Sequence, residues 1–306
     1  METIAPKISW FEEVWPRLTV ASGVGYLATA YTVSRWLTRR SPAVLSIPTH
    51  FAPWNIEPLE CTTQDGIRLK GWRIEPTISR ATIALFHGMR LNRTDTLNRV
   101  SFLAAAGYRC IVFDHRAHGE SGGAWTSFGY HERHDVTAVA DLIGNRWPNE
   151  PRAALGISMG AAALCFAGKQ VHAFDALILE SVYHDLARAF QHRVGAGYPA
   201  WFRHFRRGII WFTERRLGVS IQEIAPIAHI AKLAPRPVLL LTGSDDPHAP
   251  PHEVQTLAKQ LPETGRFQSI PEAAHHDVCE SGGLAYRDLV LSFLEQHLFR
   301  EAPRHP

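Results

Sequence analysis

Five residues, Gly156-Ile157-Ser158-Met159-Gly160, directly follow the small apolar run Ala153-Ala154-Leu155, and they constrain the chain more than any other stretch. A serine set between glycines at that spacing fits where a buried strand turns abruptly into a helix. Side chains at the glycines would block the close backbone approach and the strained dihedrals of such a turn. The turn lifts the hydroxyl into a cleft, where it can serve as a nucleophile.

The rest of the chain supplies the sheet that such a turn needs. From about residue 56 to residue 299, apolar runs of strand length alternate with helix-length segments, which argues for a mostly parallel sheet flanked by helices. The expected strands are Glu57 to Thr63, Ile67 to Ile74, Thr82 to Phe86, Cys110 to Phe113, Ala153 to Ile157, Ala176 to Glu180, Val238 to Thr242 and Phe267 to Ile270. The Gln64-Asp65-Gly66 break joins the first two as a hairpin. Helices are expected at Thr94 to Ala106, His131 to Arg146, Met159 to Lys169, Pro251 to Leu261 and Leu284 to Leu298.

Tyr183 to Leu233 is too long, aromatic and basic for one crossover, and reads as an inserted cap. Within it Trp201, Phe205, Ile209 and Phe212 recur at helical spacing, with Arg203, Arg206 and Arg207 on the opposite face. That pattern describes a lid helix packed on the domain with a solvated basic face. The other reading is a lid touching an apolar substrate or a membrane surface, its arginines near anionic head groups.

The first 45 residues form a separate N-terminal segment ahead of a catalytic domain at 46–306. Residues 18–34 carry no charge, with Arg17 before them and Arg35, Arg39 and Arg40 after. The length is the lower limit for a membrane span. Three readings stand: an anchor helix, a helix lying on the membrane or on the catalytic domain, and a secretory signal ending at Ala28-Thr29-Ala30. Glu2, Glu12 and Glu13 count against the signal, and a span with arginines after it places the catalytic domain in the cytoplasm.

With 306 residues and 45% hydrophobic content the chain can bury one enzyme-sized core. A net charge of +3 gives no general attraction to nucleic acid. Cys61, Cys110, Cys165 and Cys279 show no CxxC or metal-ligand rhythm and read as reduced. Of the 17 histidines, His131, His134, His248 and His252 read as solvated or structural, and His131-Glu132-Arg133-His134 lacks the spacing of a zinc motif. Neither metal nor cofactor is called for.

A serine hydroxyl is a weak nucleophile and needs a histidine to take its proton and a carboxylate to orient that histidine. Both follow later strands in the order expected for a parallel α/β sheet. Asp245 and Asp246 lie in the loop Gly243 to Pro250, and His275 and His276 in the loop Pro271 to Val278. The oxyanion is expected to meet the backbone N–H groups of Met159 and of Met89, in His87-Gly88-Met89-Arg90. Arg90 reads as a loop cap, or else as a partner for a substrate carboxylate. Asn92-Arg93-Thr94 matches a glycosylation sequon that its place beside this loop makes coincidental.

With these motifs, residues 56 to 299 resemble the α/β-hydrolase superfamily. His87-Gly88, Asp114-His115-Arg116-Ala117-His118-Gly119-Glu120-Ser121, the Ser158 turn, Gly243 to Pro250 and Ala274-His275-His276-Asp277 carry the resemblance together. Phe128 to Asp135 resembles the branch of BEM46, ABHD13-like and serine aminopeptidase-like hydrolases, whose members often carry an N-terminal hydrophobic segment. The resemblance implies an α/β-hydrolase fold, a mostly parallel eight-stranded sheet with helices on both faces and a helical cap. It selects Asp246 through GxxDxxxP, with Asp245 in reserve, and His275 through its flanking residues, with His276 in reserve. Ala117 departs from the pattern, which has glycine there, while Asp114 and Arg116 are expected to tie loops beneath the site. The implied activity is ester hydrolysis through an acyl-enzyme, on a small-molecule or lipid-like ester. Thioesters, acylated proteins and peptides are the alternative substrates, and a non-catalytic binding protein on the same scaffold is the alternative class.

Overall fold

The computed structural model of the protein describes residues 10–47, 54–196 and 201–299, with side chains at 22–47, 54–194 and 201–299. A long helix α1 (Trp10–Leu37) leads into a two-residue strand β1 (Ser41–Pro42). The hairpin of β2 (Asn55–Thr62) and β3 (Arg68–Glu75) turns through Gly66, where φ is +82°. Then come β4 (Ala81–Phe86), α2 (Leu97–Ala105), β5 (Tyr108–Phe113), β6 (His118–Gly119), α3 (Arg133–Arg146), β7 (Arg152–Ile157), α4 (Met159–Ala167) and β8 (Ala176–Glu180). Two helices, α5 (Leu186–Ala196) and α6 (Phe202–Leu217), intervene before β9 (Val238–Gly243), α7 (Pro251–Ala258), β10 (Gly265–Ile270) and α8 (Val278–Leu298).

Eight strands form one sheet in the order β10-β9-β8-β7-β4-β5-β3-β2, parallel from β10 to β5 and antiparallel at β3 and β2. Every residue of β4, β5, β8 and β9 is buried, as strands covered on both faces require. Alternate side chains enter different cores. Ala84 and Phe86 join Phe113 and Leu164 on one face, while Ile83 and Leu85 join Val112 and Phe293 on the other.

The eight expected strands are all present, each within a few residues of its expected ends. Three local features differ. The helix expected from Thr94 begins instead as a tight 3-10 turn over Arg93–Thr96. The Asn92 side chain accepts the Thr94 N–H at 3.0 Å while Asp95 accepts the Asn92 N–H at 2.9 Å, a reciprocal cap that accounts for Asn92 and Thr94 without a glycan. The last helix starts at Val278 rather than Leu284, because Gly283 at φ +50° breaks it between a first turn and the expected long piece. The β1–β6 ladder, pairing Ser41 with His118 and Pro42 with Gly119, was not anticipated, since two residues carry no readable period.

Between β8 and β9 the chain forms the expected helical insertion. On α6 Ile209 is buried and Phe205 and Phe212 are half-buried, with Arg203, Arg206 and Arg207 exposed, whereas Trp201 precedes the helix and stays exposed. The partner of the apolar face is α1. Ala30, Val33 and Leu37 pack with Phe202 and Ile209, and Tyr26 stacks on Phe205 at 5.1 Å. Gly208 lets the helices close up, because a Cβ there would lie 2.7 Å from the Cβ of Ala30. The uncharged stretch 18–34 thus lies within a helix that packs on the cap, and among the described residues no helix is long and apolar enough to cross a membrane.

Candidate active site

Ser158 sits at the turn between β7 and α4 with φ +51° and ψ −105°, a conformation that a non-glycine residue holds only when its surroundings enforce it. The enforcement is visible on both sides. Its N–H donates to the Glu180 carbonyl at 2.8 Å and its carbonyl accepts from Ala162 at 3.0 Å. A Cβ on Gly160 would come within 2.3 Å of the Phe86 carbonyl oxygen, and one on Gly156 within 2.6 Å of the Ala161 nitrogen. The two glycines are therefore required by contact with the neighbouring strand and helix.

His275 follows β10 and Asp246 follows β9, its neighbour in the sheet, so both reach the same carboxyl edge as Ser158. Gly243 allows their loops to meet, since a Cβ there would lie 2.0 Å from the Ala273 carbonyl oxygen. The Ser158 Oγ is 3.0 Å from His275 Nε2, and His275 Nδ1 is 2.8 and 2.9 Å from the two Asp246 oxygens. Asp246 Oδ1 also accepts the N–H groups of His248 and Ala249 at 2.8 and 2.9 Å. Burial pushes this carboxyl up, but the His275 hydrogen bond and charge, with the two N–H groups, outweigh it and hold Asp246 at about 2. An ionised carboxylate can only accept, so Nδ1 donates and Nε2 turns its lone pair toward the serine hydroxyl. The reserve residues are not brought in: Asp245 is exposed and accepts from the Ser244 hydroxyl, while His276 is exposed with its ring edge-on to His275 at 5.0 Å.

Met89 follows β4 and Met159 opens α4, on either side of Ser158. The peptide ahead of Met89 is fixed by His87, whose Nδ1 donates to the Gly88 carbonyl at 2.7 Å while its Nε2 accepts the His115 N–H at 3.0 Å. Because a trans peptide points its C=O and N–H in opposite directions, this bond also aims the Met89 N–H. His118 fixes the next peptide: its Nδ1 donates to the Arg116 carbonyl at 2.8 Å and its Nε2 accepts the Arg90 N–H at 3.0 Å. Both rings are fully buried, and burial holds each below the ordinary histidine value, consistent with neutral rings that accept at Nε2.

Two cavities meet at Ser158. One lies under the cap and is apolar, lined by Leu37, Phe128, Leu186, Phe190, Ile210 and Ile224 among others, and it reaches Ser158, Met89 and Met159. The second has a more polar lining and contains His275, with Thr94, Asn98, His248, His276 and Glu280 around it. Arg193 stands where the two join.

Loops under the site are tied as expected. Asp114 accepts the N–H groups of Arg93 and Glu120 at 2.8 and 2.9 Å, and Arg116 pairs with Asp135 at 2.8 Å and Asp65 at 2.7 Å. Ala117 keeps the turn with φ +60°, so the departure from glycine is borne as local strain. A buried group that sequence reading missed lies behind Ser158: Glu180, ending β8, pairs with Arg99 and accepts the Tyr286 hydroxyl at 2.6 Å. A carboxylate that ends a wholly buried strand must have such partners, and that was the available signal. All four cysteines are free, and among the described residues no group of three or more His, Cys, Asp or Glu could hold a metal ion.

This fold, with a serine on a strained strand-to-helix turn facing a histidine and a carboxylate from later strands, is the α/β-hydrolase fold, and the chain's similarities are to hydrolases of that superfamily. Within it the similarities run to the BEM46-like branch. The sequence model described as "Serine aminopeptidase, S33" matches residues 77–216. YqkD of Bacillus subtilis is 28% identical over 237 residues, covering 75% of this chain and 76% of its own. The bem46 protein of Schizosaccharomyces pombe is 25% identical over 254 residues, covering 79% and 77%. Among solved structures, the Pyrococcus furiosus esterase Pf2001 superposes with a TM-score of 0.72 at 22% identity, covering 86% of this chain and 99% of that one.

Proposed function

We propose that the protein is a serine hydrolase that cleaves carboxylic esters through an acyl-enzyme. The observation that carries this reading is the hydrogen-bonded line from Asp246 through His275 to Ser158, ending on a hydroxyl that opens into both cavities. Ser158 Oγ attacks the ester carbonyl carbon as its proton passes to His275 Nε2, and Asp246 stabilises the imidazolium. The N–H groups of Met89 and Met159 receive the oxyanion. When the tetrahedral intermediate collapses, the bond to the alcohol oxygen breaks and His275 returns the proton to that oxygen. Water then repeats the sequence on the acyl-enzyme, releasing the acid and restoring the serine hydroxyl.

The two cavities divide the substrate. His275 must protonate the leaving oxygen, so the leaving group occupies the polar cleft that contains His275. The acyl group then takes the apolar cavity, which favours a hydrocarbon chain. A peptidase needs an anchor for an amine. Among the described residues lining the acyl cavity, Glu214 is the one carboxylate, and its Oε1 already accepts the Ile221 N–H at 2.8 Å, so esters are preferred. A fluorophosphonate probe followed by intact mass and peptide analysis tests the reading. The wild type should gain one adduct on Ser158 and Ser158→Ala none; an inert wild type that also fails to turn over acyl esters would falsify the proposal.

A further inference from the structure

The carboxyl-terminal end of α1 reaches the loop that follows β4. Arg90 directly follows Met89 and holds φ +64°, a left-handed conformation that costs an arginine about 1–2 kcal/mol. Its backbone is held by His118, through the N–H, and by Ser41, whose hydroxyl donates to the Arg90 carbonyl at 3.4 Å. Its side chain reaches back to α1. The guanidinium lies over the Trp36 ring at 4.0 Å from the ring centre, and one of its nitrogens donates to the Trp36 carbonyl at 3.2 Å. That carbonyl belongs to the last turn of α1, where it also accepts the Arg39 N–H at 3.5 Å and the helix dipole favours a cation.

The chain leaving α1 reaches the other side of the nucleophile as well. The Thr126 N–H donates to the Thr38 carbonyl at 3.1 Å, and the Thr126 hydroxyl lies 3.3 Å from the Met159 sulfur. Ser41 and Ala43 donate to the Ala117 and Gly119 carbonyls at 2.7 and 3.0 Å, on either side of His118. Leu37, one residue after Trp36, lines the acyl cavity. One end of one helix therefore touches the segments behind both oxyanion N–H groups and the wall of the acyl pocket.

We propose that α1 is a working part of the active site, with Arg90 as a positioning residue that, clamped by Trp36, holds in place the loop in which His87 aims the Met89 N–H toward the oxyanion. The inference rests on the acyl-enzyme reading above. It goes beyond it by giving a positioning task in the reaction to a segment whose sequence suggests an anchor, a peripheral helix or a secretory signal. The clamp acts through the loop and touches no substrate. Its effect belongs to the transition state, because the oxyanion forms only there, so kcat should move while KM stays nearly fixed.

The test uses the full chain and short acyl p-nitrophenyl esters, with the active fraction counted by fluorophosphonate titration. Arg90→Ala and Trp36→Ala should each lower kcat per titrated site roughly tenfold to a hundredfold, with KM within threefold. An alkyl boronic acid, whose serine adduct places an anionic oxygen in the same N–H pair, should lose affinity in parallel with kcat. Arg90→Lys and Trp36→Phe, which keep the cation or the ring and fold more safely, should recover most of the rate. The double variant should be no slower than Arg90→Ala. If the alanine variants keep wild-type kcat and boronate affinity and lose only thermal stability, α1 is packing support and the clamp is wrong while the acyl-enzyme reading stands. A wild type inert to the probe overturns both together.

Discussion

Replacing Asp246 by asparagine changes one atom, and the surroundings decide how the new amide must lie. Asp246 Oδ1 accepts two backbone N–H groups, from His248 and Ala249 at 2.8 and 2.9 Å, so the amide oxygen has to take that position. The amide nitrogen is then placed where Oδ2 was, 2.8 Å from His275 Nδ1 and 3.2 Å from the Thr242 hydroxyl. That hydroxyl gives its proton to the Ala249 carbonyl at 2.8 Å and can accept one amide hydrogen. The other amide hydrogen points at Nδ1, which must become the acceptor. His275 is thereby forced into the tautomer protonated at Nε2, and the nitrogen facing Ser158 can no longer take a proton. The expected loss in kcat is about 10⁴-fold, or about 5.5 kcal/mol, with little change in KM. Stability falls far less. The native carboxyl is held at about 2 against an ordinary 3.8, so its ionised form contributes about 2 kcal/mol, present above pH 3.8 and lost as pH falls toward 2. Asp246→Asn should therefore remain folded at pH 7, with a thermal midpoint a few degrees lower. Steady-state turnover of acyl esters, corrected for folded protein by circular dichroism, reads the effect. A variant within tenfold of wild-type kcat would show that Asp246 does not set the histidine tautomer.

Ile210→Trp narrows the apolar cavity, so kcat/KM for an octanoyl ester should fall at least tenfold while acetyl esters are unaffected, since each excluded methylene forfeits about 0.8 kcal/mol; equal losses for both lengths would place the acyl chain elsewhere. Glu180→Leu leaves Arg99 buried without its carboxylate and should cost about 3–5 kcal/mol in urea unfolding, much of it recovered in Arg99→Met/Glu180→Leu; a loss below 1 kcal/mol for the single change would contradict a paired buried charge. Burial keeps His87 and His118 neutral when folded, whereas the unfolded chain protonates both below about pH 6.5. Their contribution is thus whole above that pH and declines as pH falls below it. Unfolding curves that coincide above and below that pH would mean that the two rings are charged in the native state.

The sequence disclosed those parts of the site whose signal is local. Glycines at 156, 160 and 243 mark backbone approaches that any side chain would prevent, and the residues beside them are Ser158 and the loop of Asp246. The alternation of apolar runs gave the eight strands because each is buried on both faces or on one, and burial leaves its mark at every residue or every second residue. Pairings between distant side chains leave no such trace. Arg99 and Glu180 stand 81 positions apart, and Arg90 and Trp36 stand 54 apart, and nothing in the period of either segment indicates the other. The N-terminal helix is the clearest case. Its lack of charge between residues 18 and 34 is as well explained by a seam against α6, with Ala30 set into Gly208, as by lipid. Asp245 and His276 were separable from Asp246 and His275 only by family pattern, since adjacent loop residues differ in direction rather than in chemistry.

The different linings of the two cavities bear on the order of events. In the proposed reaction the acyl chain stays under the cap after the first bond breaks, while the first product departs through the more polar cavity that contains His275. The space it vacates then admits the second nucleophile, and nothing about a polar cleft of that kind selects water over another small hydroxyl compound. Partition between hydrolysis and transfer of the acyl group to an added alcohol becomes a matter of relative concentration at that mouth. On the proposed mechanism, hydrolysis is then acyl transfer to water, favoured by the abundance of water.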